Sequence, residues 1–431
     1  MIKDKHFARW LFYGVCSIII LASTFSNTVQ SAELAGSSLR ISGFGTLGLT
    51  NTDAPDGWGF RRHIEQPANE GSLRADIDSR IGVQLNYSIT PQFELVSQLV
   101  AKRRSSYAPS SDIIEWAFAA YRPVPDLTIR VGRLNIDSFL LADYRNVGFA
   151  YRYARPPVEF YGSLPTTLDG VDINKDLQFD DSRWRIKVFA GRSYAGDLAF
   201  DSRIVVSPVY GLTTTRESGG LTLRAGLSWV GLSENPNVLK PLIAALEGIQ
   251  AIPVPSVVAQ AHELQDLMDG EDDHSLYMAI GVNYEIQDWV MNMEVTNVTG
   301  HPSGNLRAGY AGIGRRIGPY TIFAGISHIT TPDIPIETPD WATPLTPILG
   351  SAGAFQAQIL AASAAIARNN YGAKQTSYSL GTRWDFRSDM ALKVQWEHFK
   401  IEANGARLWA NSTLEPGGRA DVTSLLLDFV F

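Results

Sequence analysis

The sequence predicts an all-β fold, a closed antiparallel barrel of sixteen strands that crosses a membrane. Apolar and polar residues alternate over stretches of about ten residues, the length that a tilted strand needs to cross a bilayer. Strands of soluble proteins average about five or six residues. The predicted strands are joined by alternately short and long connections, and no apolar run after Ala22 is long enough to cross a bilayer as a helix.

Residues 1–31 are predicted to be a secretory signal that is removed from the mature chain. Three basic residues precede an apolar run from Trp10 to Ala22, and small and polar residues follow up to Ser31. The run falls short of the roughly 20 residues of a spanning helix, which makes a membrane anchor the less favoured alternative. The single cysteine, Cys16, lies in this segment, so the mature chain has no disulfide.

The mature chain, 32–431, is predicted to form one domain, because no linker divides it. It carries 34 basic and 43 acidic residues, and an acidic exported chain is a poor candidate for binding nucleic acid.

Strict alternation marks the strands in order along the chain. In 391–399, Val394 and Trp396 share one face while Gln395 and Glu397 share the other. The clearest stretches are 39–49, 80–89, 184–190, 221–229, 276–286, 391–399 and the last residues, 424–431.

The connections fix the strand number. Seven are short, at 90–92, 123–126, 180–182, 217–220, 287–288, 318–319 and 387–390. Eight are long, at 51–78, 103–112, 133–168, 193–203, 231–275, 298–306, 329–374 and 402–421. Sixteen strands with short turns at one rim and long loops at the other are typical of an outer-membrane barrel. Helical spacing of apolar residues in 239–252 and Ala-rich composition in 355–368 predict short helices packed over the rim.

Several motifs resemble those of Gram-negative outer-membrane porins: RISGFGTLGL (40–49), IRVGRL (129–134), DGVDI (169–173), SLGTRWDF (379–386) and a final strand that ends in Phe431. The resemblance implies a barrel that is usually trimeric and lies in outer-membrane lipid and lipopolysaccharide. It also implies that the third extracellular loop folds inward to narrow the pore, and that Phe431 serves as a signal to the outer-membrane assembly machinery.

The third long loop, 133–168, has a composition that suits this role. Its aromatic residues can pack on the wall, and the pair Pro156-Pro157 stiffens its return. Its charged residues are predicted to form the pore constriction: Asp143, Arg145, Arg152, Arg155 and Glu159. The alternative is that these charges pair with one another or with the wall.

The alternation also predicts which charged side chains face the lumen. The basic ones are Arg40, Arg80, Lys102, Arg104, Arg130, Arg185, Lys187, Arg224, Arg383 and Lys393. The acidic ones are Glu94, Glu115, Glu294 and Glu397. A mostly basic lumen raises the local concentration of anions.

These features predict a channel for passive diffusion of small hydrophilic solutes and ions, with a modest anion preference. The alternative is a channel specific for an anionic or aromatic nutrient, with 231–275 and 329–374 forming a selective mouth. A secreted adhesin or lectin and a barrel enzyme are less favoured, because the strands are long and no catalytic motif occurs. No cofactor or metal is expected, and the acidic run 269–274 is taken for a solvated loop without EF-hand spacing.

Overall fold

The computed structural model describes residues 32–33, 38–67, 71–105, 108–197, 202–232, 237–270, 274–300, 305–409 and 417–431. The predicted signal segment and residues 271–273 of the acidic run 269–274 lie outside these ranges.

Sixteen long strands form one closed antiparallel sheet, which confirms the predicted barrel. Each strand pairs with its neighbours in the chain, and β16 pairs with β1 to close the sheet. The strands are β1 (Leu39–Thr52), β2 (Arg80–Thr90), β3 (Phe93–Lys102), β4 (Ile114–Val124), β5 (Leu127–Asn135), β6 (Thr167–Phe179), β7 (Ser182–Asp197), β8 (Ser202–Ser218), β9 (Leu221–Leu232), β10 (His274–Ile286), β11 (Trp289–Thr299), β12 (Leu306–Ile317), β13 (Tyr320–Thr330), β14 (Ala373–Arg387), β15 (Met390–Ala406) and β16 (Gly418–Val430). Two-residue strands at Ala32–Glu33 and Leu73–Arg74 attach to β1.

The short turns lie at one rim and the long connections at the other, as the sequence predicts. The predicted loop 193–203 is an exception, because β7 extends to Asp197 and β8 begins at Ser202. The turn between β8 and β9 consists of Gly219 and Gly220, whose φ angles are 54° and 84°. Two consecutive positive φ angles are what a tight type I′ hairpin requires, and glycine adopts them without steric cost. This turn therefore holds β8 and β9 in direct register, with Ser218 opposite Leu221.

The two faces of the sheet differ in polarity. Ile280 of β10 is 61% exposed and Val295 of β11 is 48% exposed, whereas their neighbours Ala279 and Glu294 are buried. Because successive side chains of a strand point to opposite faces, the exposed apolar residues lie on the outer face of the closed barrel and the buried ones on its inner face.

In the described parts of the long connections, four α-helices occur: α1 (Val158–Tyr161), α2 (Lys240–Ile249), α3 (Pro255–Asp266) and α4 (Ala342–Asn369). The last three form what we call the helical cap, which buries Leu246, Val257, Trp341 and Ala361 completely. Helices α2 and α4 lie where the sequence predicts helices, and α3 was not predicted. By length and hydropathy α4 passes the test for a membrane span. Its alanine-rich face packs in the cap, whereas Phe355, Ile359 and Ile366 are exposed, and Gly350, with φ of 69°, breaks its regularity.

Candidate functional site

The third long connection, residues 136–166 between β5 and β6, is fixed by aromatic packing. Phe139, Phe160 and Tyr161 are buried and pack together with Tyr310 of β12. The ring centroids of Phe160 and Tyr310 are 5.4 Å apart with nearly perpendicular planes, a favourable edge-to-face arrangement. Pro157 directly precedes α1, the short helix that carries two of these rings.

Polar side chains of distant strands bind the backbone of the same connection. Lys393 of β15 donates from Nζ to the carbonyls of Gly148 and Tyr153, at 2.6 and 2.8 Å. Further side chains of the wall do the same: Arg80 of β2 donates to Asn146, Arg383 of β14 donates to Phe149 and Tyr151, Gln395 of β15 accepts from Ala154, and Glu294 of β11 accepts from Leu140. The connection is therefore held at several points spread around the barrel.

Arg155 is an enclosed charge of the connection, with 1% of its surface exposed. Its guanidinium pairs with Asp78, at 2.6 Å between Nη2 and Oδ2, and with Glu397 of β15. It also donates to Thr50 of β1 and to Ser424 of β16. Arg155 thus pairs with the wall, which is the alternative that the sequence left open for this residue.

The other predicted constriction residues are placed differently. Arg145 is half-buried, and its Nη2 lies 3.6 Å from Glu115 of β4. Arg152 is half-buried, donates to Asn292 of β11, and lies with its guanidinium carbon 4.5 Å from the ring centroid of Tyr153.

The two acidic residues of the connection also differ. Asp143 is exposed and accepts from Asn135 at 2.6 Å. Glu159 is buried in α1 and accepts from Gln375 of β14 at 2.8 Å. Burial raises the pKa of Glu159, because the charged carboxylate loses its hydration. For Asp78, burial would also raise the pKa, but the positive charges of Arg155, Arg62 and Arg80 together hold the pKa below its ordinary value.

The predicted wall cations are largely paired with carboxylates, and only Arg40 and Arg80 show no such partner among the ion pairs of the described chain. The pairs are Lys102 and Arg104 with Glu115, Arg130 with Asp172, Arg185 with Asp176, Lys187 and Arg224 with Asp137, Arg383 with Asp385, and Lys393 with Asp428. The predicted acids pair similarly, Glu94 with Arg122 and Glu397 with Arg155, while Glu294 accepts from the hydroxyls of Tyr161 and Tyr310.

The basic surplus on the inner face is smaller than the sequence predicts, because the count from alternation missed several acids. Asp172 lies directly across from Arg130 in the neighbouring strand, and Asp176 lies across from Arg185. Cross-strand partners share a face, so each cation has its carboxylate beside it.

Two cations, Arg80 and Arg62, lie near Asp78 in addition to Arg155. Arg80 donates to the carbonyls of Asp78 and Asn146 and to the hydroxyl of Tyr151. Arg62, in the connection between β1 and β2, is half-buried and lies 3.9 Å from Asp78. Burial lowers the pKa of Arg62 to about 10, and the positive charge of Arg80 adds to this effect. Arg62, Arg80 and Arg155 therefore lie around one carboxylate, Asp78, which concentrates positive charge there.

No protein-family model matches the sequence, and no curated protein matches it. Solved structures do match. An anion-selective porin from Comamonas acidovorans is similar with a TM-score of 0.52 and 11% identity, over 92% of this chain and 100% of the other. The present chain therefore has the porin fold. The porin fold is shared with OmpF of Salmonella typhi in complex with daunomycin (TM-score 0.50, 12% identity, 93% of this chain and 100% of the other). It is also shared with the outer-membrane channel DcaP of Acinetobacter baumannii (TM-score 0.52, 11% identity, 93% and 99%).

Proposed function

We propose that this chain forms a channel in the bacterial outer membrane for passive diffusion of small hydrophilic solutes and ions. The observation that carries the proposal is the closed sixteen-stranded barrel with an apolar outer face and a charged inner face. Closure satisfies every strand edge in lipid, and a barrel of this size leaves room for water inside. Outer-membrane lipid and lipopolysaccharide then contact the apolar face.

Conductance in a planar bilayer tests this function. Purified protein should produce stepwise increases of current in KCl, and a folded barrel without any conductance would contradict the proposal. Folding is checked on the same sample by heat-modifiable migration on a gel.

The proposed constriction is the third long connection. Its contacts with β2, β11, β14 and β15 support this placement, because a segment that begins after β5 reaches those strands most directly through the inside of the barrel. Arg145 and Arg152 are the charges of the connection that we assign to the narrow part of the pore. Arg155 is assigned a structural role, since its charge is enclosed and paired.

A modest anion preference is the finer part of the proposal. Arg80 and Arg152 hydrogen-bond uncharged groups, whereas most wall cations are paired with carboxylates. Positive charge in a narrow aqueous passage lowers the electrostatic cost for an entering anion, and salt screens this effect.

Replacing Arg145 and Arg152 together by alanine tests both the constriction and the preference. The reversal potential in a KCl gradient should shift toward cation preference, and the conductance should rise because the passage widens. Arg316→Ala is the matched control, since Arg316 is exposed beside a short turn and paired with Glu285. If the double variant keeps both wild-type values, the narrowing lies elsewhere, in 231–275 or 329–374.

A further inference from the structure

An apolar cavity of about 210 Å³ lies between the third long connection and the inner faces of β7 to β12. Its lining includes Phe139 and Leu164 of the connection, Val206 of β8 and Val230 of β9. Five serines interrupt this apolar surface. Among the lining residues that the structure describes, none is an acid and Arg407 is the charged one.

The inner face of these strands changes character along its length. Lys187 of β7, Arg224 of β9 and Glu294 of β11 form ion pairs or hydrogen bonds lower in the barrel. Nearer the long connections, inner positions of the same strands carry Ala195 and Val298 among other apolar residues. A channel for ions alone has no need of such a surface, because apolar walls do not compensate lost hydration.

The size and the borders of the cavity suggest what would fill it. An apolar protein cavity of about 150 Å³ is large enough to hold benzene. At the border, Arg407 donates from Nη1 to the Tyr371 carbonyl at 3.3 Å, and its guanidinium carbon lies 5.5 Å from the Tyr371 ring. Arginine is the side chain best suited to bind a carboxylate.

The phenol of Tyr277 adds a polar group to the apolar wall. Tyr277 is buried, lines the cavity and lies beside Thr296, whose hydroxyl donates to the Met278 carbonyl at 2.8 Å. Tyr277 therefore adds a phenol, with Thr296 as its neighbour, to a wall that is otherwise mainly apolar.

We propose that this cavity binds a monocyclic aromatic carboxylate, with its ring among the apolar residues and its carboxylate toward Arg407. The inference rests on the proposed channel function and names a substrate class for it. The ring leaves water for the cavity, and the charge is compensated at its border, so the solute is retained in the channel mouth before it passes the constriction.

Benzoate is the probe, and benzyl alcohol is the uncharged ring of similar size. In a planar bilayer, benzoate should reduce the KCl current of the wild type in a saturable manner. Val206→Phe fills the cavity and should weaken benzoate binding about tenfold or more, as loss of fit in an apolar pocket does. Val205→Phe is the matched control, because Val205 is the next residue of β8, is 41% exposed and points to the outer face, whereas Val206 is 5% exposed.

The variant Arg407→Gln distinguishes the contribution of the benzoate carboxylate to binding from that of the benzoate ring. It should weaken benzoate binding about tenfold, since one charge-assisted contact is lost, and leave the effect of benzyl alcohol unchanged. Heat-modifiable migration verifies folding of each variant, and Val230→Phe fills the same cavity from β9 if Val206→Phe does not fold.

The outcomes are distinguishable. A folded wild type without KCl conductance contradicts the channel function itself. A conducting wild type whose current benzoate does not reduce saturably overturns only the inference, and so do equal benzoate affinities in the Val205 and Val206 variants. If Arg407→Gln weakens the effects of benzoate and of benzyl alcohol on the current equally, the assigned contact between Arg407 and the carboxylate is wrong.

Discussion

Arg155 joins parts of the chain that are far apart in sequence. Its guanidinium contacts the connection before β2 through Asp78, β1 through Thr50, β15 through Glu397 and β16 through Ser424. It also lies 5.0 Å from the ring centroid of Phe60. Removing one partner of a buried ion pair leaves an uncompensated charge, which is more costly than never having buried the pair.

We therefore expect Arg155→Ala to lower the free energy of unfolding by about 3–5 kcal/mol, because Asp78 and Glu397 remain buried without their cation. The measurement is urea unfolding followed by heat-modifiable migration. Arg152→Ala is the control, because Arg152 is half-buried and contacts the uncharged side chains of Asn292 and Tyr153. An equal loss of unfolding free energy in the two variants would show that the ion pairs of Arg155 add no stability beyond that of the uncharged contacts of Arg152.

Burial of Glu159 predicts that the stability of the folded protein depends on pH. Burial raises its pKa in the folded state, so the folded protein binds a proton more readily than the unfolded chain. The contribution to stability is present below the ordinary pKa of a glutamate and is lost as the pH rises through the raised value.

Glu159→Gln should therefore raise the thermal midpoint at pH 8 and change it little at pH 4. Glutamine keeps the shape and the contact with Gln375 while removing the buried charge. Asp143→Asn is the control from the same connection, because Asp143 is exposed, and its midpoint should follow the wild type. A midpoint difference between Glu159→Gln and wild type that is the same at both pH values would contradict the assignment.

At the scale of elements, the helical cap has an apolar core of its own. Trp341 donates from Nε1 to Gln260 of α3 at 3.0 Å, and small residues on one face of α4 allow close packing on α2 and α3. Ala361 is fully buried in this contact. The cap therefore has the organisation of a small packed unit joined to the strands of the barrel.

Ala361→Leu should loosen the cap without opening the barrel, since overpacking a well-packed site costs about 1–3 kcal/mol. We expect faster protease cleavage within 237–270 and 331–372, with unchanged heat-modifiable migration. Ser363→Leu adds a similar side chain at an exposed position two residues away and should leave the cleavage rate at the wild-type value. Loss of the heat-modifiable form in Ala361→Leu would show that the cap and the barrel do not unfold separately.

Strands and turns were predictable because their signals are local. Alternation and turn residues are read within about ten positions, and both gave the order and number of strands. The ion pairs of the inner face were harder to predict from the sequence, because Asp172 is identified as the partner of Arg130 only once the register of β5 and β6 is known. The same holds for Arg155, whose partners Asp78 and Glu397 come from segments that no local pattern connects. Helix α3 was missed because its apolar periodicity is weak.

For the whole molecule, we expect a trimer, on the strength of the resemblance to porins. The outer wall offers the apolar surface that such an assembly needs, including Val131 and Ile280, both more than half exposed. Light scattering in mild detergent, corrected for bound detergent, should give a protein mass near three chains. A monomeric mass under conditions that keep the heat-modifiable form would contradict this expectation.

The pairing of β1 with β16 has a consequence for the order of biogenesis. Thr46 and Asp428, which are 382 residues apart in sequence, hydrogen-bond across this seam, and Gly43 exchanges backbone hydrogen bonds with Phe431. A ribosome delivers β1 long before β16, so the two edges of the unfinished sheet stay open until the last strand arrives. During that interval, strands with one apolar face and unpaired edges are prone to aggregate. We therefore expect a variant that weakens the seam to show its defect first as aggregation of the unfinished sheet, before a closed barrel forms.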